Sequence, residues 1–350
     1  PDVFIATGLG VGELSAAGYL EPLDGYLGGW DGWAQYPDVV RRALTYQNQV
    51  WALPCSIDTH FFYYRKDLLE KAGLAREWQP ASPDDILATA RNLKSALPDV
   101  MSYGIYAGAN GGNGTAVRGF LPLVYAFGGS LTDETGRWII DSPALRGALA
   151  HYETAFQVDK TAPGEIMTSV NPPRMMRTSI ATGEMAMLYD GSWVYADWDA
   201  AVPDITRQQI GYTQYPTADG SPPFAVGGLG NSWYINVKSG AKDLAWTLLT
   251  AGNVPEVLTA LNVASPHIPP RLDAAGADAF KATEFHTAMV GSISNLIIAP
   301  PDPAYRQLIG VIQNATGIVA TGEATPEEAL KKYADELTRI LGEDRVISQS

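Results

Sequence analysis

Asp58, Asn110, Trp193 and the run Thr7-Gly8-Leu9-Gly10 place a carboxylate, an amide, an indole, a hydroxyl and bare backbone where strands are expected to hand over to helices or loops. In open α/β sheets, solutes bind just beyond the carboxyl ends of strands, so these groups could line one hollow. The mixture suits a neutral sugar. A flat aromatic face covers the C–H surface of a sugar ring, while carboxylate, amide and backbone groups bond its hydroxyls. Two arginines, Arg118 and Arg271, would instead serve an anion such as a glycerophospho-compound. One catalytic alternative stays open: Asp58 paired with Asp141 or Asp190 as the two carboxylates of a glycoside-active enzyme.

Other enzyme signatures fail. The strand-turn Gly8-Leu9-Gly10-Val11-Gly12 lacks the third-glycine spacing of a dinucleotide fingerprint. The sequence has no Gly-Lys-Ser/Thr phosphate loop, no His-Glu-x-x-His and no Gly-x-Ser-x-Gly, and His60, His151, His267 and His286 lack metal-ligand spacing. No cofactor and no metal are therefore expected. Cys55 is the single cysteine, which excludes an intrachain disulfide and reads as a small core residue beside Pro54.

The elements that must position these groups alternate. A strand from Val3 to Ala6 leads through a Gly-rich turn to a helix, and Ser82-Pro83-Asp84-Asp85 opens another helix with Ser as cap and Pro in the first turn. Met185 to Leu188 reads as a strand, which Asp190-Gly191-Ser192-Trp193 turns into a helix; Thr325-Pro326-Glu327-Glu328 starts the last one. This is an α/β chain. Its 350 residues, against ~150 for a typical domain, predict two domains. Crossings between them are expected near the loop Asn110-Gly111-Gly112-Asn113-Gly114 and within the Pro- and Gly-rich stretch from Pro216 to Gly230.

Composition narrows the partners. With 24 basic against 38 acidic residues the net charge is -14, which repels phosphate backbones, so no nucleic acid is expected. Apolar residues make up 46%, mean hydropathy is -0.06, and no apolar run approaches the ~18 residues that cross a bilayer. The chain opens directly on the strand that follows Pro1-Asp2. Because a parallel sheet normally starts with a complete strand-helix-strand unit, a further N-terminal stretch is expected, and the lack of a leader does not argue for the cytoplasm.

A series of short segments resembles a known family. Pro1-Asp2-Val3-Phe4, Gly18-Tyr19-Leu20-Glu21-Pro22-Leu23, Trp51-Ala52-Leu53-Pro54, Tyr63-Tyr64-Arg65-Lys66-Asp67-Leu68-Leu69, Ala72-Gly73-Leu74, Gly183-Glu184-Met185-Ala186-Met187 and Gly191-Ser192-Trp193 are similar, in order and spacing, to the extracellular solute-binding proteins of carbohydrate ABC importers, the maltose-binding-protein-like group. The resemblance implies a type II periplasmic-binding-protein fold of two α/β lobes joined by hinge crossings, with the family's first strand-helix-strand missing. Lobe 1 would hold residues 1–104 and 226–297, and lobe 2 residues 105–225 and 298–350.

It implies as well a cleft between lobes that closes on a mono- to oligosaccharide, delivery to the transmembrane subunits of an ABC permease, no catalysis, and a monomer. The protein would be exported, periplasmic or at the cell surface, with a lipid anchor supplied by a segment outside this sequence. The family's ligand positions fall on Thr7 and Leu9, on Asp58 as an acid for sugar hydroxyls, on Trp193 as a stacking platform, on the loop from Gly228 to Asn231, on Arg271 after Ile268-Pro269-Pro270, and on Tyr305. Asn110 and Arg118 complete the expected ligand-binding set. Leu9 stands where the maltose binders carry a polar residue, which puts malto-oligosaccharides in question.

Overall fold

The run Ile57-Asp58-Thr59-His60-Phe61-Phe62-Tyr63-Tyr64-Arg65 is β-branched and aromatic, and it forms a nine-residue strand buried throughout except at half-buried Asp58. In the computed structural model, which describes residues 1–299 and 301–349, this strand carries the chain from one compact unit to another. Unit 1 comprises Pro1–Thr59 and Ala225–Tyr305; unit 2 comprises His60–Phe224 and Arg306–Ser350. The first crossing therefore falls at Thr59–His60 and not at residue 104, and the third at Tyr305–Arg306 and not at 297. Residues 60–104 belong to unit 2 because His60 to Tyr64 pair with Gly191 to Met187.

In unit 1, strand Val3–Thr7 runs antiparallel to Asn231–Ile235, with Val3 opposite Ile235 and Thr7 opposite Asn231. The latter strand also pairs with Leu53–Pro54. Ile57, Asp58 and Thr59 lie antiparallel to Leu229, Gly228 and Gly227, and strand Ala225–Leu229 is parallel to Leu296–Ile298. Leu23, Leu53, Ile235, Ala245 and Leu249 form a buried cluster, against which Trp30, Trp33, Trp233 and Trp246 pack. The helix Lys242–Gly252 supplies the last two of those core residues from one face. Cys55 is buried in this unit, and burial pushes its thiol up to about 12, so it stays protonated and unreactive at neutral pH.

In unit 2, the remainder of the long strand pairs antiparallel with Met187–Gly191 on one side and Ile210–Thr213 on the other. Phe62 stands at its centre among Trp78, Tyr103, Tyr189 and Tyr215, with ring centroids 5.2 to 6.0 Å away. Strand Trp138–Asp141 is paired in parallel by Val346–Ser348. Helix termini follow local chemistry. Ser82 caps Pro83–Ala96 by accepting from the Asp85 amide, and Thr325 with Glu328 forms a reciprocal box on Pro326–Leu341, each cap contributing ~1 kcal/mol. Among the described residues, no helix is long and apolar enough to cross a membrane.

Candidate functional site

The unit 1 edge is built on glycines that let backbone approach backbone. The Gly8 amide donates to the carbonyls of Leu229, at 3.2 Å, and Gly230, at 3.0 Å. A Cβ on Gly8 would lie 2.1 Å from that of Leu229, so only glycine fits. Gly227 is equally constrained: its Cβ would meet the Asp58 carbonyl oxygen at 2.1 Å. The outcome is that Asp58, opposite Gly228 in the strand register, sits at a bare-backbone rim with Thr7 opposite Asn231 alongside. Thr7 and Asn231 are exposed, while Asp58, Leu9 and Gly228 are half-buried. The Gly230 Cα faces the Asp58 carboxylate, since a Cβ there would come within 2.8 Å of Oδ1.

His267 joins this rim. Its Nε2 is 3.5 Å from Asp58 Oδ1, and its Nδ1 faces the Ser265 carbonyl oxygen at 2.9 Å. The segment is anchored by the reciprocal amide–carbonyl bonds of Ile57 and Ile268, at 2.8 and 2.9 Å. Two other expected residues of unit 1 are occupied differently. Arg271 is buried, donates from Nε and Nη2 to Asp273 at 3.0 and 2.6 Å and from Nη1 to the Asn253 carbonyl at 2.9 Å, and lies over the Trp30 ring. Its guanidinium is spent on holding the loop before helix Leu272–Ala275. Tyr305 is buried at the start of helix Tyr305–Ala320.

In unit 2 the strand Met187–Gly191 extends further than the sequence suggests, so Asp190 is a strand residue and not part of a turn. Asp190 is fully buried. Its Oδ2 accepts from the Tyr106 hydroxyl at 2.6 Å and from Arg177 Nε at 2.7 Å. Its Oδ1 accepts from Arg177 Nη2 at 3.0 Å and from the Gly191 amide at 2.7 Å, and faces Arg118 Nε at 3.1 Å. Burial by itself raises the Asp190 carboxyl, but the Arg118 and Arg177 charges outweigh it and hold the group below the usual carboxylate range. Burial likewise pushes the Tyr106 hydroxyl up, reinforced by the Asp190 charge, so it stays a donor.

Trp193 opens helix Trp193–Ala201 directly above this cluster. The Arg118 and Arg177 guanidinium carbons lie 5.7 and 5.9 Å from its ring centroid, and Arg118 also stacks on Tyr106 at 4.8 Å. His60 stands edge-on to it, centroids 5.7 Å apart at 73°. The indole rests on Gly191, where a Cβ would lie 2.2 Å from two ring carbons. The ring is half-buried. Arg118 lies in the π-helical turn Thr115–Phe120, a geometry often found at functional sites. Asn110 is exposed in the preceding Gly-rich loop, and its amide donates to the Ser169 carbonyl at 2.9 Å.

Two constellations thus emerge, each within one unit: Asp58 with Thr7, Gly228, Asn231 and His267, and Trp193 with Arg118, Arg177, Asp190, Tyr106 and His60. They offer hydrogen-bonding groups and an aromatic face, and among the described residues no cluster of three or more His, Cys, Asp and Glu could hold a metal. Residues 1–257 match the family described as bacterial extracellular solute-binding protein. The chain belongs to this family.

Solved structures of solute-binding proteins share its type II α/β fold. An ABC transporter solute-binding protein of Thermotoga lettingae, bound with alpha-D-tagatose, is 27% identical with a TM-score of 0.83, over 98% of this chain and 86% of that one. Maltose-bound MalE3 of T. maritima is 24% identical with a TM-score of 0.82, over 97% of this chain and 85% of that one. A binding protein of Brucella abortus is 21% identical over 329 residues, 93% of this chain and 75% of the relative.

Arg177, Tyr106, His60 and His267 carry no local signal for these places. Arg177 sits in the polar helix Pro172–Thr182, and only the fold brings it to Asp190.

Proposed function

We propose that the chain is the substrate-binding component of an ABC importer, which captures a sugar and hands it to a membrane permease. The observation that carries the reading is Trp193: a half-buried indole held from beneath by Gly191 and flanked by charged donors, in a chain that shares its fold with a tagatose-bound relative. Trp193 is the stacking platform for a sugar ring, and Asp58, with the backbone from Gly228 to Asn231, bonds hydroxyls.

Covering the indole face would remove ~100 Å² of apolar area from water, worth ~2.5 kcal/mol. A micromolar complex needs ~8 kcal/mol net. Hydrogen bonds must supply much of the remainder, and a ligand favours one conformation of the protein only by binding it more tightly than the others. The permease then reads that conformation. Export, a monomeric state and this permease partnership are parts of the same proposal.

A glycoside-active enzyme gains little support, because its second carboxylate is poorly supplied. Asp190 is saturated and held ionised, and Asp141 Oδ2 is engaged by Arg146 at 2.5 Å. Calorimetric titration with mono-, di- and oligosaccharides tests the reading: heat of binding without release of reducing ends is expected. Steady release of reducing ends by the pure protein, abolished by Asp58→Asn, would replace it with the enzyme.

A further inference from the structure

Two guanidinium groups and one carboxylate meet beneath Trp193, and their charges do not cancel. Among the described residues, the ion pairs of both Arg118 and Arg177 go to Asp190 alone. The carboxylate has about four lone-pair directions, and four hydrogen bonds fill them, from Arg177 Nε and Nη2, the Tyr106 hydroxyl and the Gly191 amide, while Arg118 Nε adds an ion-pair contact at 3.1 Å. Asp190 has no capacity left for a ligand hydroxyl. What it does is fix two arginines, one of them also stacked on Tyr106.

One positive charge is left over. Arg118 keeps both terminal amino groups and Arg177 keeps Nη1 beyond the Asp190 pairs. Both side chains reach solvent, at 12% and 26% exposure, beside the Trp193 ring. A neutral ring stacked there would strip water from a cation and return only hydroxyl oxygens. An anionic substituent would return a charge, with the planar, forked geometry that guanidinium groups match best.

We infer that the solute is an acidic saccharide, whose carboxylate or phosphate is received by Arg118 and Arg177 while its ring stacks on Trp193. This deepens the sugar reading and rests on it. Asp190 and Tyr106 are positioning residues, and Arg118 and Arg177 set specificity.

The test is calorimetry on the full chain with matched probes: galactose against galacturonate, glucose against glucuronate, glucose against glucose 1-phosphate, and the corresponding short oligosaccharides. The acidic member of at least one pair should bind tenfold or more tightly than its neutral partner, and the uronate and phosphate arms tell which anion is read. Arg118→Gln and Arg177→Gln should each reduce that preference to threefold or less while moving the neutral partner's affinity much less. Circular dichroism identifies a misfolded variant, and the wild-type comparison decides in that case. Neutral sugars binding as tightly as their acids, or variants that keep the preference, overturn this inference and leave the sugar reading standing. Heat from no saccharide of either kind overturns both.

Discussion

Asp190 and Arg177 meet in a two-bonded pair, Nε to Oδ2 at 2.7 Å and Nη2 to Oδ1 at 3.0 Å, with the carboxylate wholly removed from solvent. Removing one partner of such a pair leaves the other charged and poorly solvated, which costs more than the pair itself contributes. Asp190→Asn is expected to destabilise unit 2 by about 3 kcal/mol, read as a lower urea midpoint. Tyr106→Phe, which deletes one hydrogen bond to that charge, should cost about 2 kcal/mol. Equal, near-zero effects would mean that the cluster is not a structural support.

Gly191 bears the Trp193 indole, and any side chain there enters the ring's space. Gly191→Ala should fold, at an overpacking cost of about 1–3 kcal/mol, with the indole displaced. Ligand affinity should fall at least tenfold, and the tryptophan emission of the free protein should shift. An unchanged dissociation constant would show that the ring position is irrelevant to binding.

The two glycines of the Asp58 rim should behave differently from each other. At Gly8 an added Cβ meets the Leu229 Cβ, which cannot swing away; at Gly230 it meets the Ser56 hydroxyl and Asp58 carboxylate, which can. Gly8→Ala is therefore expected to lower the thermal midpoint clearly. Gly230→Ala should leave it nearly unchanged but weaken the ligand by turning Asp58. Melting curves and titrations on the two variants check this ordering.

His151 is buried against Tyr103, its Nε2 3.3 Å from the hydroxyl, and burial pushes its imidazole down to about 3. In the unfolded chain the group titrates near 6.5, so between pH 6.5 and 3 the unfolded state holds the extra proton. Stability from this residue is complete above pH 6.5 and is lost as pH falls, by about 1.4 kcal/mol per unit. His151→Gln should flatten the acid limb of stability against pH between 6.5 and 4. A limb of unchanged slope would assign acid sensitivity to the carboxylates alone.

Much of the architecture is written locally. Ser82-Pro83-Asp84-Asp85 and Thr325-Pro326-Glu327-Glu328 announce caps that form as expected, because a cap is satisfied within one helical turn. The crossing at Thr59–His60 is not announced, since Ile57–Arg65 stays apolar and β-prone on both sides of it and pairing partners lie far away in sequence. The helix Leu272–Ala275 is far short of the length that propensity alone can sustain, so packing must hold it.

Within the candidate site, Trp193 and Asp58 stand out because an indole and a carboxylate at strand ends are unusual enough to notice. The arginines could not be sorted that way. Arg271 follows a conspicuous Pro-Pro turn yet is consumed by Asp273 and Asn253, whereas Arg177, on an unremarkable helix, reaches Asp190 through tertiary packing. Type and spacing announce which side chains are capable of chemistry; which of them remain available is decided by neighbours distant in the chain.

The central proposal is that sugar affinity depends on Trp193 and on Asp58. Its most direct test is the calorimetric dissociation constant of the tightest-binding saccharide for the wild type, Trp193→Ala, Asp58→Asn and the double variant, each shown to be folded by its melting curve. Each single substitution is predicted to weaken binding at least tenfold, and the double to leave no measurable heat. Wild-type affinity in either folded single variant would contradict the account.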